Sequence, residues 1–185
     1  MSVDTNLIKK PYQREKFSKT EMEELVKCTQ DPTHFLLEHC FIQHPTRGRM
    51  KFDLYDFQRR LVDVYHNYRF SIAMLPRQTG KSTCAAGYLL WYAMFNPDST
   101  ILIAAHKYSG AQEIMQRIRF AYETLPNFIR AGVTAYNKGS MEFDNGSRII
   151  AQATTDNTGR GLSLTLVYLD EFAFCLLYTS PSPRD

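Results

Sequence analysis

The sequence predicts an α/β fold in which short strands and helices alternate around a mainly parallel sheet. Two observations support this prediction. Continuous apolar runs, such as TILIAA at residues 100–105, are typical of strands that are covered on both faces. Between such runs, apolar residues recur every three or four positions, as they do along one face of a helix. Strands and helices that alternate at these lengths favour parallel strands joined by helical crossovers.

Three helices are predicted ahead of this alternation. The first begins at a capping box formed by Ser18 and Glu21, and the second begins at the Asp31-Pro32 pair, which supplies a cap and a first-turn proline. A third helical pattern starts at Gln58. We expect residues 1–50 to form a helical preamble that packs on the domain after it.

The alternation occupies the larger part of a domain predicted at residues 51–174. Its elements are predicted in this order: a strand at 70–75, a helix at 81–95, a strand at 100–105, a helix at 111–125, a hairpin at 141–143 and 148–153, and a strand at 164–169. Pro97 and Pro126 end the two helices, because proline cannot donate to the helical ladder. Asn145-Gly146 indicates the hairpin, because this pair accepts positive φ.

Composition and charge narrow the classes of function. The chain has 185 residues, a length that suits one domain, and its net charge of +3 only weakly favours a nucleic-acid partner. No stretch approaches the ~18 apolar residues of a membrane span. The four cysteines show no metal-ligand spacing and are expected to be reduced thiols. His34 and His39 are expected to be partly buried rather than to be metal ligands.

The motif with the most specific chemistry follows the strand predicted at 70–75. It reads Pro76-Arg77-Gln78-Thr79-Gly80-Lys81-Ser82-Thr83. A loop between a buried strand and a helix surrounds phosphate oxygens with backbone N–H groups. Gly80 allows close approach of the backbone, Lys81 is expected to contact the β- and γ-phosphates of ATP, and Ser82 is expected to hold Mg²⁺. These features predict a P-loop NTPase of the RecA-like (ASCE) type, a three-layer sandwich.

An acidic pair ends the last predicted strand and supports the nucleotide interpretation. At such a strand end, Asp170 is expected to hold Mg²⁺ through water, and Glu171 to polarise the water that attacks the γ-phosphate. Arg77 is expected to lean over the γ-phosphate as an arginine finger in cis. Phe57 and Gln58 are candidates for an aromatic face and an amide that recognise adenine. Considered one at a time, these residues also have simpler interpretations. Asp170 and Glu171 fit a solvated turn, Arg77 fits a surface charge, and Phe57 and Gln58 fit core or helix-start positions.

The stretch from about residue 35 to residue 174 resembles the ATPase domain of the large terminase subunit of tailed bacteriophages, closest to the contractile-tailed (myovirus) type. Its loop has Leu75 where the common pattern G-x-x-x-x-G-K-[ST] has its first glycine, and the family's loop deviates in the same way. Further segments match in order: YDFQ at 55–58, AAHK at 104–107, YNKGS and NGS around the hairpin, TGRGLS at 158–163 and VYLDEFAF at 167–174. Arg160 lies in one of these segments without an assigned role.

The resemblance implies a nucleotide site with ATP and Mg²⁺ as its ligands. The residues implied to bind nucleotide are Phe57, Gln58, Arg77, Gln78, Thr79, Gly80, Lys81, Ser82 and Thr83. The resemblance implies that Lys81 and Ser82 bind nucleotide and Mg²⁺, that Arg77 senses the γ-phosphate, and that Asp170 serves the metal. Glu171 is implied to be the catalytic base.

The resemblance further implies a motor that packages double-stranded DNA into a preformed capsid. By family, it docks on the portal protein as a ring of copies, works with the small terminase subunit, and acts in the cytoplasm of the infected bacterium without a membrane partner. Two alternatives stay open: a helicase or translocase with two RecA-like domains, and a scaffold that binds nucleotide without turnover. A second ATPase domain downstream would favour the helicase.

The last eleven residues differ in character from the rest. Residues 175–185, CLLYTSPSPRD, resemble the in-frame translation of a transposase adaptor used to prepare sequencing libraries, and a native Ser/Pro linker is the alternative. The family's RNase H-like nuclease, and the coupling motif expected after the acidic strand, have no counterpart in the 185 residues. We therefore expect a truncated front part of the subunit that is inactive or badly impaired on its own.

Overall fold

The computed structural model describes residues 7–44 and 46–171, so the tail predicted at 175–185 lies outside the described residues. The helices are α1 (Lys19–Gln30), α2 (Pro32–His39), α3 (Asp56–Asn67), α4 (Lys81–Phe95) and α5 (Tyr108–Thr124). The strands are β1 (Phe41–His44), β2 (Gly48–Lys51), β3 (Thr100–Ala105), β4 (Val133–Tyr136), β5 (Ser140–Phe143), β6 (Arg148–Ala153) and β7 (Leu166–Asp170).

A five-stranded sheet forms the centre of the fold, in the order β4-β5-β6-β3-β7. β3 pairs in parallel with both β6 and β7, while β5 runs antiparallel to β6 and to β4. All strands of this sheet except β5 therefore run in one direction, which confirms the predicted α/β fold with a mainly parallel sheet. β3 lies between two partners and is buried over residues 101–105, as its apolar sequence predicts.

Helix α4 runs through the core, and its residues 84–91 are all buried. α5 packs against both α4 and the sheet, and α2 and α3 pack on α4. Ile101 and Ile103 of β3 belong to the same buried cluster, whereas Leu102 lies on the opposite face of the strand. A second helical layer over that opposite face stays a prediction. Although α4 is largely apolar, neither it nor any other described helix is long and apolar enough to cross a membrane.

The first two helices begin where the sequence predicts, and the third, α3, begins two residues before the predicted Gln58, at Asp56. Ser18 Oγ accepts a hydrogen bond from the Glu21 backbone N–H at 3.2 Å, and Glu21 Oε2 accepts one from the Ser18 N–H at 2.7 Å, which is the predicted capping box. Asp31 caps α2 by accepting from the Thr33 N–H at 2.7 Å. An antiparallel hairpin of β1 and β2, which was not predicted from sequence, follows α2.

The segment before the loop, residues 70–75, is not a strand, so that prediction is wrong. The side chains of Phe70, Ile72 and Met74 are 83%, 93% and 92% exposed. A strand is stable only when a neighbour satisfies its N–H and C=O groups. Within residues 7–44 and 46–171, no strand pairs with this segment. Apolar content alone therefore does not make it a strand.

Gly87 marks a close approach of α4 to α2. A Cβ built on Gly87 would overlap Cδ2 of Leu36, which is fully buried. We expect Gly87→Ala to lower the free energy of unfolding by about 1–3 kcal/mol, because overpacking a closed core forces side chains off their rotamers. Urea unfolding followed by circular dichroism measures this change.

Gly110→Ala in the first turn of α5 is the matched control. A Cβ built on Gly110 would meet its nearest neighbour, the Cβ of Ala105, at 3.3 Å. The strain and the gain in helix propensity there largely cancel, so we expect a change within about 1 kcal/mol. If Gly87→Ala were as stable as this control, α2 would not be tightly packed on α4.

Candidate nucleotide-binding site

Helix α4 begins with an end that is open to an anion. Its N-cap is Gly80, whose φ of 76° lies in the left-handed region and which has no side chain to accept from the first turn. Gln78 also has a positive φ, of 63°. The N–H groups at the start of a helix carry partial positive charge and lack partners within the helix. The start of α4 therefore has the features of a phosphate site.

The side chain of Gln58 supports the loop through a hydrogen bond to its backbone. Its side chain is buried; its Nε2 donates to Thr79 O at 3.1 Å, and its Oε1 accepts from the Tyr55 N–H at 3.1 Å. A Cβ built on Gly80 would lie only 2.8 Å from Gln58 Nε2, so packing as well as φ requires a glycine there. Thr79 Oγ1 donates to Pro76 O at 3.1 Å and closes the loop. Both ends of the Gln58 amide are thus engaged within the protein, and its recognition of adenine stays a prediction.

The two residues predicted to serve the metal meet, although they are 88 positions apart in the sequence. Ser82 Oγ donates to Asp170 Oδ1 at 3.4 Å. Asp170 ends β7 opposite Ala105, which ends the parallel strand β3. A hydroxyl and a carboxylate supply the oxygen ligands that Mg²⁺ prefers. This pair therefore fits a magnesium ion.

Tyr168, a residue not predicted from sequence, is a partner of Asp170. Its hydroxyl donates to Asp170 Oδ1 at 3.0 Å. Burial, together with the negative charge of Asp170, raises the pKa of the Tyr168 hydroxyl, so this group keeps its proton and remains a donor. Residues two apart on a strand point to the same face, so the spacing from Asp170 could have identified Tyr168 from the sequence. Tyr168 thus orients the carboxylate that faces Ser82.

Three residues predicted to act on the γ-phosphate lie at the loop and at the strand end. Lys81 is the half-buried first residue of α4, and Arg77 is exposed in the loop. Within residues 7–44 and 46–171, neither cation forms an ion pair. Glu171 follows Asp170, is exposed, and has a φ of 50°. A left-handed non-glycine residue costs about 1–2 kcal/mol, and such strain is concentrated at functional sites.

The other predicted site residues flank the loop. The rings of Phe57 and Tyr55 stack with centroids 5.9 Å apart and planes 9° from parallel, and both are exposed. This pair offers a flat aromatic surface. Thr83 lines a cavity of about 420 Å³ between β1, α4 and α5. Arg160 is exposed in the turns after β6. The roles of these residues toward nucleotide stay predictions.

Comparison with known proteins bears on both the family and the fold. A family model described as "Terminase large subunit, T4likevirus-type, N-terminal" matches residues 72–176. The crystal structure of the HK97 bacteriophage large terminase is similar with a TM-score of 0.62 and 22% sequence identity. The match covers 77% of this chain and 31% of that terminase. At this identity, the likeness to the HK97 protein concerns the fold alone.

Proposed function

Since this chain belongs to the large terminase subunits of the T4-like type, we propose that it is the ATP-hydrolysing part of a motor that moves double-stranded DNA into a bacteriophage capsid. The contact between Ser82 and Asp170 is the main support. It unites the loop and the acidic strand end in one oxygen-rich site beside the open start of α4. A nucleotide triphosphate with Mg²⁺ is the ligand whose chemistry fits this combination.

ATP binds with its phosphates at the start of α4. Backbone N–H groups of the loop and of the first turn donate to phosphate oxygens, and Lys81 neutralises charge on the β- and γ-phosphates. Gln58 keeps the loop in its binding conformation through the hydrogen bond to Thr79 O. The stacked rings of Tyr55 and Phe57 provide the aromatic surface for the base.

Hydrolysis is the attack of water on the γ-phosphate. Glu171 accepts the proton of that water while the new P–O bond forms and the bond to the β-phosphate oxygen breaks. Arg77 stabilises the charge that develops on the γ-phosphate oxygens. When bound, Mg²⁺ neutralises charge on the phosphates. Ser82 would hold the ion directly, and Asp170 would hold it through water.

The partners follow from the same family. We propose that the motor forms a ring on the portal protein, receives DNA with the help of the small terminase subunit, and works in the cytoplasm of the infected bacterium. Family membership favours this function over a helicase with two RecA-like domains. A scaffold that binds nucleotide without turnover is distinguished by its failure to release phosphate.

The magnesium assignment is tested by nucleotide binding to this chain with and without Mg²⁺. We expect a fluorescent ATP analogue to bind more tightly when Mg²⁺ is present. Asp170→Asn should lower the apparent Mg²⁺ affinity about 10–100-fold, because residues that hold a metal through water have effects of this size. Titration of Mg²⁺ at a fixed analogue concentration measures the change.

Asp63→Asn is the matched control, because Asp63 is an exposed aspartate on α3 and the substitution removes the same charge. Its Mg²⁺ titration should equal that of the unmodified chain. A wild-type titration curve for Asp170→Asn would contradict the metal assignment. Failure of the unmodified chain to bind the analogue would contradict the assignment of the start of α4 as a nucleotide site.

A further inference from the structure

Four side chains with metal-binding atoms converge between α1 and α2, away from the nucleotide site. They are Glu24, Cys28, His34 and His39, and one ligand atom of each lies within 4.8 Å of all the others. The sequence offers no reason to expect His34 and His39 to be metal ligands, but the fold brings both beside Glu24 and Cys28. Both were expected to be partly buried, and both are.

The local structure explains the convergence. Glu24 and Cys28 are four residues apart on α1, so they share one face of that helix. α2 follows after only Asp31 and packs back on α1. Its two histidines then reach the same carboxylate: His34 Nε2 and His39 Nε2 lie 2.7 and 2.8 Å from Glu24 Oε1.

We propose that Glu24, Cys28, His34 and His39 bind one structural zinc ion that joins α1 to α2. Thiolate, imidazole and carboxylate are the ligands that zinc accepts, and four protein ligands make a closed, structural site. Mg²⁺ and Ca²⁺ prefer oxygen alone, so this donor set disfavours them.

The geometry is close to what a tetrahedral ion requires. Bonds of about 2.1 Å to nitrogen and oxygen place the ligand atoms about 3.4 Å apart. The two His–Glu24 distances of 2.7 and 2.8 Å must therefore open by about 0.6–0.7 Å, and the longer separations, of up to 4.8 Å, must close, both by side-chain rotation. The side chains of His34 and Glu24 are 28% and 24% exposed, so an ion can enter from their side.

The protonation states of Glu24 and Cys28 are consistent with metal binding that releases one proton. Hydrogen bonds from His39 and His34 lower the pKa of the Glu24 carboxyl to about 2, which leaves a carboxylate. Burial raises the pKa of the Cys28 thiol to about 12. On binding, the S–H bond of Cys28 breaks, the S–Zn bond forms, and that proton passes to the buffer, while each neutral imidazole carries its one proton on the ring nitrogen that does not bind the ion.

The site would also fasten the N-terminal helices to the core. The backbone oxygen of Cys28 accepts a hydrogen bond from Trp91 Nε1 of α4 at 2.7 Å. The His39 ring meets the Phe128 ring edge-on, with centroids 6.1 Å apart. An ion bound by Cys28 and His39 would therefore connect α1 and α2 to each other and, through these two contacts, to Trp91 of α4 and to Phe128.

Cobalt titration of the chain, without nucleotide, tests the proposal. We expect one Co²⁺ per chain, with the visible absorption of a tetrahedral site and a near-ultraviolet band from sulfur-to-cobalt charge transfer. Cys28→Ser should remove the sulfur band. His39→Ala should lower the Co²⁺ affinity more than about 100-fold, because even changes outside the ligand shell cost 10–100-fold. Zinc should displace the cobalt and raise the Tm of the unmodified chain.

Cys84→Ser and His106→Ala are the matched controls, the first at a buried cysteine of α4 and the second at an exposed histidine. Both should keep the full cobalt spectrum. If Cys28→Ser does not fold, Glu24→Gln and His34→Ala replace more exposed members of the cluster and should each weaken the spectrum. A cobalt spectrum that survives in all these variants, or that never forms in the unmodified chain, would overturn the proposal.

Discussion

Replacing Glu171 by glutamine is expected to lower ATP hydrolysis by about 10²–10⁴-fold while ATP still binds. The amide has the shape of the carboxylate but cannot accept the proton of the attacking water. Glu171 directly follows Asp170, which contacts Ser82 of the loop, and its φ of 50° is one that the chain holds at some energetic cost. Both facts favour a catalytic role for the Glu171 side chain over a packing role.

Phosphate release measures the effect, in a complete large terminase subunit whose N-terminal domain carries residues 7–171 of this chain. Glu142→Gln is the control, because Glu142 is an exposed carboxylate on β5. It should hydrolyse ATP at the rate of the unmodified protein. If Glu171→Gln did so too, another group would be the base. If the unmodified subunit released no phosphate, the scaffold alternative would be favoured.

Local sequence signals predicted much of the fold. α4 and β3 occupy the predicted ranges of 81–95 and 100–105, and the hairpin forms around Asn145-Gly146. The reason is that caps, prolines and continuous apolar runs act over a few residues. α5 begins three residues earlier than predicted, at Tyr108, because the Gly110 N–H already donates to Lys107 O at 3.0 Å. A glycine is tolerated in a first turn.

What the sequence did not predict depends on pairing between distant segments. β1, β2 and β4 have only four residues each, too few for an alternation of apolar and polar residues to be distinct. The segment at 70–75 has the apolar content of a strand but no neighbour among the described strands. In each case the hydrogen-bonding partner decides the structure, and composition does not reveal it.

The candidate site likewise contains residues whose positions could be predicted from sequence and contacts that could not. The positions of Lys81 and Ser82 at a helix start and of Asp170 at a strand end were predictable from local sequence, whereas their roles toward nucleotide stay predictions. The support that Gln58 gives to Thr79 was not, because it joins α3 to the loop across 21 positions. The meeting of His34 and His39 on Glu24 likewise depends on how α1 packs on α2. The sequence therefore predicts the type of chemistry more readily than it predicts the residues that support the site.

Replacing Lys81 by alanine is expected to weaken ATP binding by about 10–150-fold. Hydrogen bonds to charged groups contribute about 1.5–3 kcal/mol, and each 1.4 kcal/mol is a tenfold change in affinity. Lys81 is half-buried at the first position of α4 and, among the described residues, has no carboxylate partner to release. Titration with a fluorescent ATP analogue in the presence of Mg²⁺ measures the loss.

Lys19→Ala separates a specific contact from a general effect of charge. Lys19 is also the first residue of a helix, α1, and its replacement changes the net charge by the same amount. Long-range attraction between exposed charges is screened by salt, so any loss in Lys19→Ala should vanish at high ionic strength. The loss in Lys81→Ala should persist, because the ammonium group acts at contact distance. Equal affinities for the two variants would mean that α4 does not hold the phosphates of ATP.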